Sequence, residues 1–140
     1  MEKKICWLLH IRHKRLQPFG VQKFLYSGNT KKEWASEINA EFVSFERLLG
    51  ESDFVIACCS MNKDNMGLFN KSAFSKMKNN AIFINTSRGV LVNQEDLYDA
   101  LKSGTILAAG LDVTSPEPLP REHPLHTLKN CVITPHIGRA

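Results

Sequence analysis

Residues 53–60 read Asp-Phe-Val-Ile-Ala-Cys-Cys-Ser, an unbroken apolar run closed at both ends by polar side chains. A strand with one wet face alternates polar and apolar residues. A run without alternation suits a strand covered on both faces, as in a parallel sheet. Cys58 and Cys59, adjacent on such a strand, point to opposite faces. The flanking sequence repeats the theme. Val21–Tyr26 is a strand candidate ended by Ser27-Gly28-Asn29; residues 81–85 and 106–113 are two more, and residues 131–134 form a last short one before Pro135. Between them lie stretches with helical spacing. Residues 32–40 are weakly helical, and Ser44 is placed to cap residues 45–49. Residues 71–77 carry Phe74 and Met77 three apart. Asn93 begins a helix that runs to about Lys102 and ends at Gly104. Strands alternating with helices predict right-handed crossovers and an α/β fold, a doubly wound, Rossmann-like parallel sheet.

Composition narrows the function. With 43% hydrophobic and 23% charged residues, the 140-residue chain has the make-up of one ordinary globular domain. The formal charge is +4, but residues 1–20 hold Lys3, Lys4, Arg12, Lys14 and Arg15 against Glu2 and account for all of it. The rest is balanced, which argues against nucleic acid as a partner. No apolar run approaches the roughly 20 residues that span a bilayer. The start, Lys3-Lys4 followed by residues 5–9, is too short in its apolar part to read as a secretory signal, and basic residues follow it. The four cysteines form no CxxC pair and read as small buried hydrophobes in a reducing, cytoplasmic setting; no metal site is expected.

In doubly wound sheets, ligands bind beyond the carboxyl ends of the strands. Topology therefore selects residues 27–31, 60–61, 86–89, 112–117 and 135–138. Arg88, Asp112, Glu117 and His136 all fall within that selection. An arginine fork suits a carboxylate. A histidine whose second ring nitrogen is held by a carboxylate is a common acid–base device. Arg88, Glu117 and His136 together would serve reduction of a 2-oxo acid. At the end of Val21–Tyr26, NAD-specific folds place an acid for the ribose 2′-OH. Here stand Ser27, Gly28, Asn29, Thr30, Lys31 and Lys32, with no acid and two lysines, which favours NADPH while leaving NADH possible.

Three blocks carry a family resemblance: Asn85-Thr86-Ser87-Arg88-Gly89; Ala109-Gly110-Leu111-Asp112-Val113 with Pro116-Glu117-Pro118-Leu119-Pro120; and Pro135-His136-Ile137-Gly138. In order and spacing they resemble the D-2-hydroxyacid dehydrogenases. Beyond the blocks, Pro18-Phe19-Gly20-Val21-Gln22, Asn93-Gln94-Glu95-Asp96-Leu97-Tyr98 and Asp112-Val113-Thr114-Ser115-Pro116-Glu117 resemble in particular the branch that reduces glyoxylate and hydroxypyruvate. The resemblance implies that His136 protonates the substrate carbonyl oxygen and Glu117 orients and charges that histidine. It implies that Arg88 binds the substrate carboxylate and carbonyl. Asp112 is implied to lie near the nicotinamide carboxamide, with Ser60, Thr86 and Gly138 along the cofactor cleft, and the enzymes to be homodimers.

One part of the family pattern is missing. The first strand and its GxGxxG loop should precede residue 15, but residues 1–14 contain no glycine. A pyrophosphate needs close backbone approach and a helix N-terminus, so its loss should weaken cofactor binding. The expectation is a divergent basic segment over 1–14, an incomplete NAD(P)-binding domain over 15–140, no substrate domain, and an open sheet edge beside Val21–Tyr26. Such a chain would be a truncated or alternatively spliced product, or a partial gene model, weak or inactive alone. The alternative is a non-catalytic remnant that binds a full-length partner.

Overall fold

A computed structural model describes residues 3–6, 16, 18 and 20–138. Its strands are β1 (Lys3–Cys6), β2 (Val21–Tyr26), β3 (Ala40–Phe42), β4 (Phe54–Ala57), β5 (Ile82–Asn85), β6 (Ala108–Leu111) and β7 (Cys131–Ile133). They form one sheet in the order β3-β2-β1-β4-β5-β6-β7, and every neighbouring pair is parallel. The doubly wound parallel sheet is the expected fold.

The first strand is present, which corrects the sequence expectation. Lys3–Cys6 sits at the centre of the sheet, with Ile5 opposite Phe24 of β2 on one side and Phe54 of β4 on the other. β2 consequently has no open edge, because β1 and β3 pair with it from both sides. A four-residue strand with two lysines carries little apolar signal of its own. Two parallel neighbours satisfy its backbone groups, and that pairing defines it. The absence of glycine from residues 7–14 stands as a fact of sequence, and that segment lies outside the described residues.

Three helices pack on one face: α1 (Phe45–Glu51), α2 (Lys71–Ser75) and α3 (Gln94–Lys102). α1 begins as expected, with the Ser44 side chain accepting from the Arg47 amide at 3.2 Å. α2 is shorter than expected. Its last turn tightens as the amides of Lys76 and Met77 reach back three residues, to Ala73 and Phe74. α3 starts where Asn93 accepts from the Asp96 amide and ends before Gly104, whose φ of +73° only glycine adopts without strain. Residues Glu33–Ile38 form a 3₁₀ helix rather than an α-helix, and the short strand β3 follows it.

The main core lies between this helical layer and the sheet. Leu48 and Leu49 of α1, Phe74 of α2 and Leu97 of α3 are buried against Leu25, Val55 and Phe83 of the strands. Phe83 is fully buried, with ring centres 4.8 Å from Phe69 and 5.5 Å from Phe74. Such pairs add about 0.5–1.5 kcal/mol each beyond their buried area. The opposite face holds a smaller cluster of Val21, Phe24 and Ile56, packed by Leu16. Cys59 packs into the first cluster and Cys58 into the second, as their adjacency on an extended chain requires. Among the described residues no helix is long and apolar enough to cross a membrane.

Candidate active site

Because all strands are parallel, their carboxyl ends share one rim, and three consecutive turns on β5, β6 and β7 build the site there. Beyond β5, the buried Asn85 shapes the chain: its Oδ1 accepts from the Ser87 amide at 3.0 Å and its Nδ2 donates to the Arg88 carbonyl at 2.9 Å. The Ser87 hydroxyl donates to the Cys59 carbonyl at the end of β4. Arg88 is thereby held exposed at the rim, where its Nη1 donates to the Ser87 carbonyl at 2.7 Å. Gly89 then passes against the next turn, so close that a Cβ there would lie 2.0 Å from the Thr114 carbonyl oxygen. No side chain can occupy this position without displacing backbone.

Beyond β6, Asp112 is buried and organises the turn after β7. Its Oδ1 accepts from the Thr134 hydroxyl at 2.6 Å and the Ile137 amide at 2.9 Å; its Oδ2 accepts from the Gly138 amide at 2.8 Å. The Thr134 hydrogen bond, reinforced by these two amides and by the nearby His136 ring, holds the Asp112 carboxyl below the usual aspartate range against the opposing effect of burial. The three donors bend residues 134–138 into a tight turn. His136 adopts a φ of +55° within it, and its amide donates to the Thr134 carbonyl at 3.0 Å.

This turn carries the His136 ring to the loop after β6. His136 Nδ1 and Glu117 Oε1 are 2.7 Å apart, with side chains 40% and 41% exposed. An ionised Glu117 accepts from Nδ1–H, which leaves Nε2 directed elsewhere and available for proton transfer. The Glu117 loop is fixed in turn by Gln94 at the start of α3: Nε2 donates to the Ser115 carbonyl at 2.7 Å and Oε1 accepts from the Ser115 amide at 2.8 Å. The Thr114 hydroxyl donates to the Pro116 carbonyl at 2.9 Å.

Glu117 and His136 are in direct contact, as are Asp112 and Gly138, and Arg88 and Thr86 stand on the adjoining strand end. Ser60 follows β4 on the same rim, where its carbonyl accepts from Asn65 Nδ2 at 2.9 Å. Gly28, Asn29, Thr30 and Lys31 form an exposed turn after β2, two strands further along the sheet than β4. That turn folds back on its strand, with the Lys32 amide donating to the Tyr26 hydroxyl at 3.0 Å and Lys32 Nζ to Thr30 Oγ1 at 3.2 Å. Sequence reasoning missed Gln94 and Thr134. Both act over 21 and 22 residues, and no local pattern announces a partner at that separation.

Residues 12–138 match the family described as D-isomer specific 2-hydroxyacid dehydrogenase, NAD binding domain. Over 128 residues the chain is 63% identical to glyoxylate reductase/hydroxypyruvate reductase of Mus musculus, covering 91% of this chain and 39% of that protein. The fold is similar to the TT0316 protein from Thermus thermophilus, with TM-score 0.87 and 40% identity over 99% of this chain and 43% of the other. It is also similar to a D-isomer specific 2-hydroxyacid dehydrogenase from Xanthobacter autotrophicus Py2 in complex with NADPH and MES, with TM-score 0.85 and 27% identity over 98% and 44% of the two chains. The chain therefore spans about two fifths of the length of the relatives it matches.

Proposed function

The chain belongs to the D-isomer specific 2-hydroxyacid dehydrogenases through their NAD binding domain, and from that premise we propose that it carries the acid–base rim of an enzyme reducing a small 2-oxo acid, of the glyoxylate or hydroxypyruvate kind, to the D-2-hydroxy acid. The observation that supports this most is the 2.7 Å contact of His136 Nδ1 with Glu117 Oε1, made between turns on neighbouring strands at the ligand-binding rim. His136 Nε2 delivers a proton to the carbonyl oxygen. Glu117 orients the ring and compensates its charge. Arg88, whose fork matches a carboxylate, binds the acid group and the carbonyl beside it.

A nicotinamide cofactor bound along the rim would supply the hydride. The residues fit its two ends better than its middle. Asp112 and Gly138 form an ordered turn beside His136, and Ser60 and Thr86 stand on the strand ends next to it. Thr30, Lys31 and Lys32 offer a hydroxyl and two cations where the distal ribose would lie, which suits a 2′-phosphate and hence NADPH over NADH. Residues 7–15 supply no glycine for a pyrophosphate, so the affinity of this chain should be low.

A chimera tests the assignment. Residues 16–138 of this chain replace the matching stretch of the mouse relative, which provides the length the chain does not span. Glyoxylate-dependent NADPH oxidation is expected in the chimera and should fall about 10²- to 10⁴-fold with His136→Ala. A folded chimera that is inactive, or one indifferent to His136→Ala, contradicts the proposal.

A further inference from the structure

Glu117 is two residues beyond Ser115 in a loop without regular structure, yet its carboxylate meets one particular ring atom. Something must fix the loop. The side chain of Gln94 grips the Ser115 backbone by both of its polar groups, at 2.7 and 2.8 Å, as a neighbouring strand would. Gln94 is itself rigidly mounted. It is the first residue of α3, directly after the Asn93 cap, and Leu97, Ala100 and Leu101 bury that helix in the core. The segment leading to it from Arg88 is tied by bonds from the Gly67 amide to Val90, the Phe69 amide to Leu91 and the Asn93 amide to Phe69. The clamp therefore references the Glu117 loop to the same frame that holds Arg88.

We infer that Gln94 is a positioning residue: it places Glu117 against His136 Nδ1 through Ser115, without touching substrate or cofactor. A loop freed from this anchor samples more backbone states, and the carboxylate spends less time on the ring. The inference rests on the reading of His136 and Glu117 as an acid–base pair, but its test needs neither cofactor nor turnover.

The readout is the tautomer of neutral His136, measured by ¹⁵N NMR on the full chain. Free imidazole favours Nε2–H, whereas a carboxylate at Nδ1 draws the proton there. Wild type should show Nδ1–H. Gln94→Ala should lose it in favour of Nε2–H, as Glu117→Ala does, and the double variant should show no further change. A merely structural role for Gln94 would lower stability and leave the tautomer of the folded molecules as it was. If Gln94→Ala does not fold, Gln94→Glu decides: it keeps the acceptor for the Ser115 amide, loses the donor to the carbonyl, and should lose part of the Nδ1–H population. An unchanged tautomer in the folded variant overturns the inference. A wild type without Nδ1–H instead faults the His136–Glu117 pair itself, and with it the proposed function.

Discussion

Gly89 and Thr114 touch backbone to backbone, with room for no Cβ: one built on Gly89 would stand 2.0 Å from the Thr114 carbonyl oxygen and 2.1 Å from its carbon. This contact presses the Arg88 turn onto the loop that carries Glu117. Overpacking commonly costs about 1–3 kcal/mol when side chains can yield. Here only backbone could move, so Gly89→Ala should cost about 3 kcal/mol or more by urea denaturation, the upper end of that range. It should also shift the amide NMR signals of residues 114–117 well beyond those of α1. A variant as stable as wild type would mean that the two turns are not packed as described.

Asp112 links stability to acid. Its carboxyl is held below the ordinary aspartate value, chiefly by Thr134. A group with a depressed folded-state value stabilises the fold above its unfolded value of about 3.9, and that contribution is lost as pH falls through the folded value. Hydrogen bonds to charged groups contribute about 1.5–3 kcal/mol each, and an unmatched donor adds its own cost. Asp112→Asn turns one acceptor into a donor facing the Gly138 amide. It should cost about 2 kcal/mol at pH 7 on that scale. The gap to wild type should narrow below pH ~4 as the native carboxyl is protonated. A difference in stability constant from pH 7 to pH 2 would show that the charge of Asp112 plays no part.

The lysines after β2 set the cofactor preference under the proposed function. In the chimera, replacing both Lys31 and Lys32 with Ala should lower kcat/KM for NADPH by roughly tenfold or more, the scale of one charge-assisted hydrogen bond. It should leave kcat/KM for NADH nearly unchanged. Equal losses with both cofactors would point to a disturbed loop, since Lys32 Nζ also donates to Thr30 Oγ1 within that turn. Losses with neither would place the 2′-phosphate elsewhere.

Much of this was legible in the sequence where the signal was local. The apolar run at 53–60 placed β4 and the opposed packing of Cys58 and Cys59. Ser44 and Asn93 marked two helix starts because a cap acts within three residues. What escaped was non-local. β1 is a strand by virtue of its two neighbours, not its four side chains. β3 has three residues and follows a left-handed Asn39, whose φ of +51° breaks a stretch that otherwise reads as weak helix. Gln94 and Thr134 acquire meaning only when β5, β6 and β7 lie side by side.

Arg88 and Glu117 stand at the same rim but should fail in different ways, which makes them the sharpest pair to compare in the chimera. The Arg88 backbone is held by the Asn85 side chain, and under the proposed function its guanidinium would meet the substrate as a fork of donors. Arg88→Lys keeps the charge and loses the bidentate geometry, so it should raise KM for glyoxylate by about tenfold, equivalent to about 1.4 kcal/mol of binding, with a smaller change in kcat. Glu117 contacts His136 Nδ1, and under the proposed function it acts on the substrate through that ring. Glu117→Gln still accepts a hydrogen bond at Nδ1 but cannot offset the charge of the ring. It should therefore lower kcat by about 10²-fold, at the lower end of general acid–base contributions, with KM little moved. If both substitutions raised KM alone, His136 would be binding substrate rather than passing a proton.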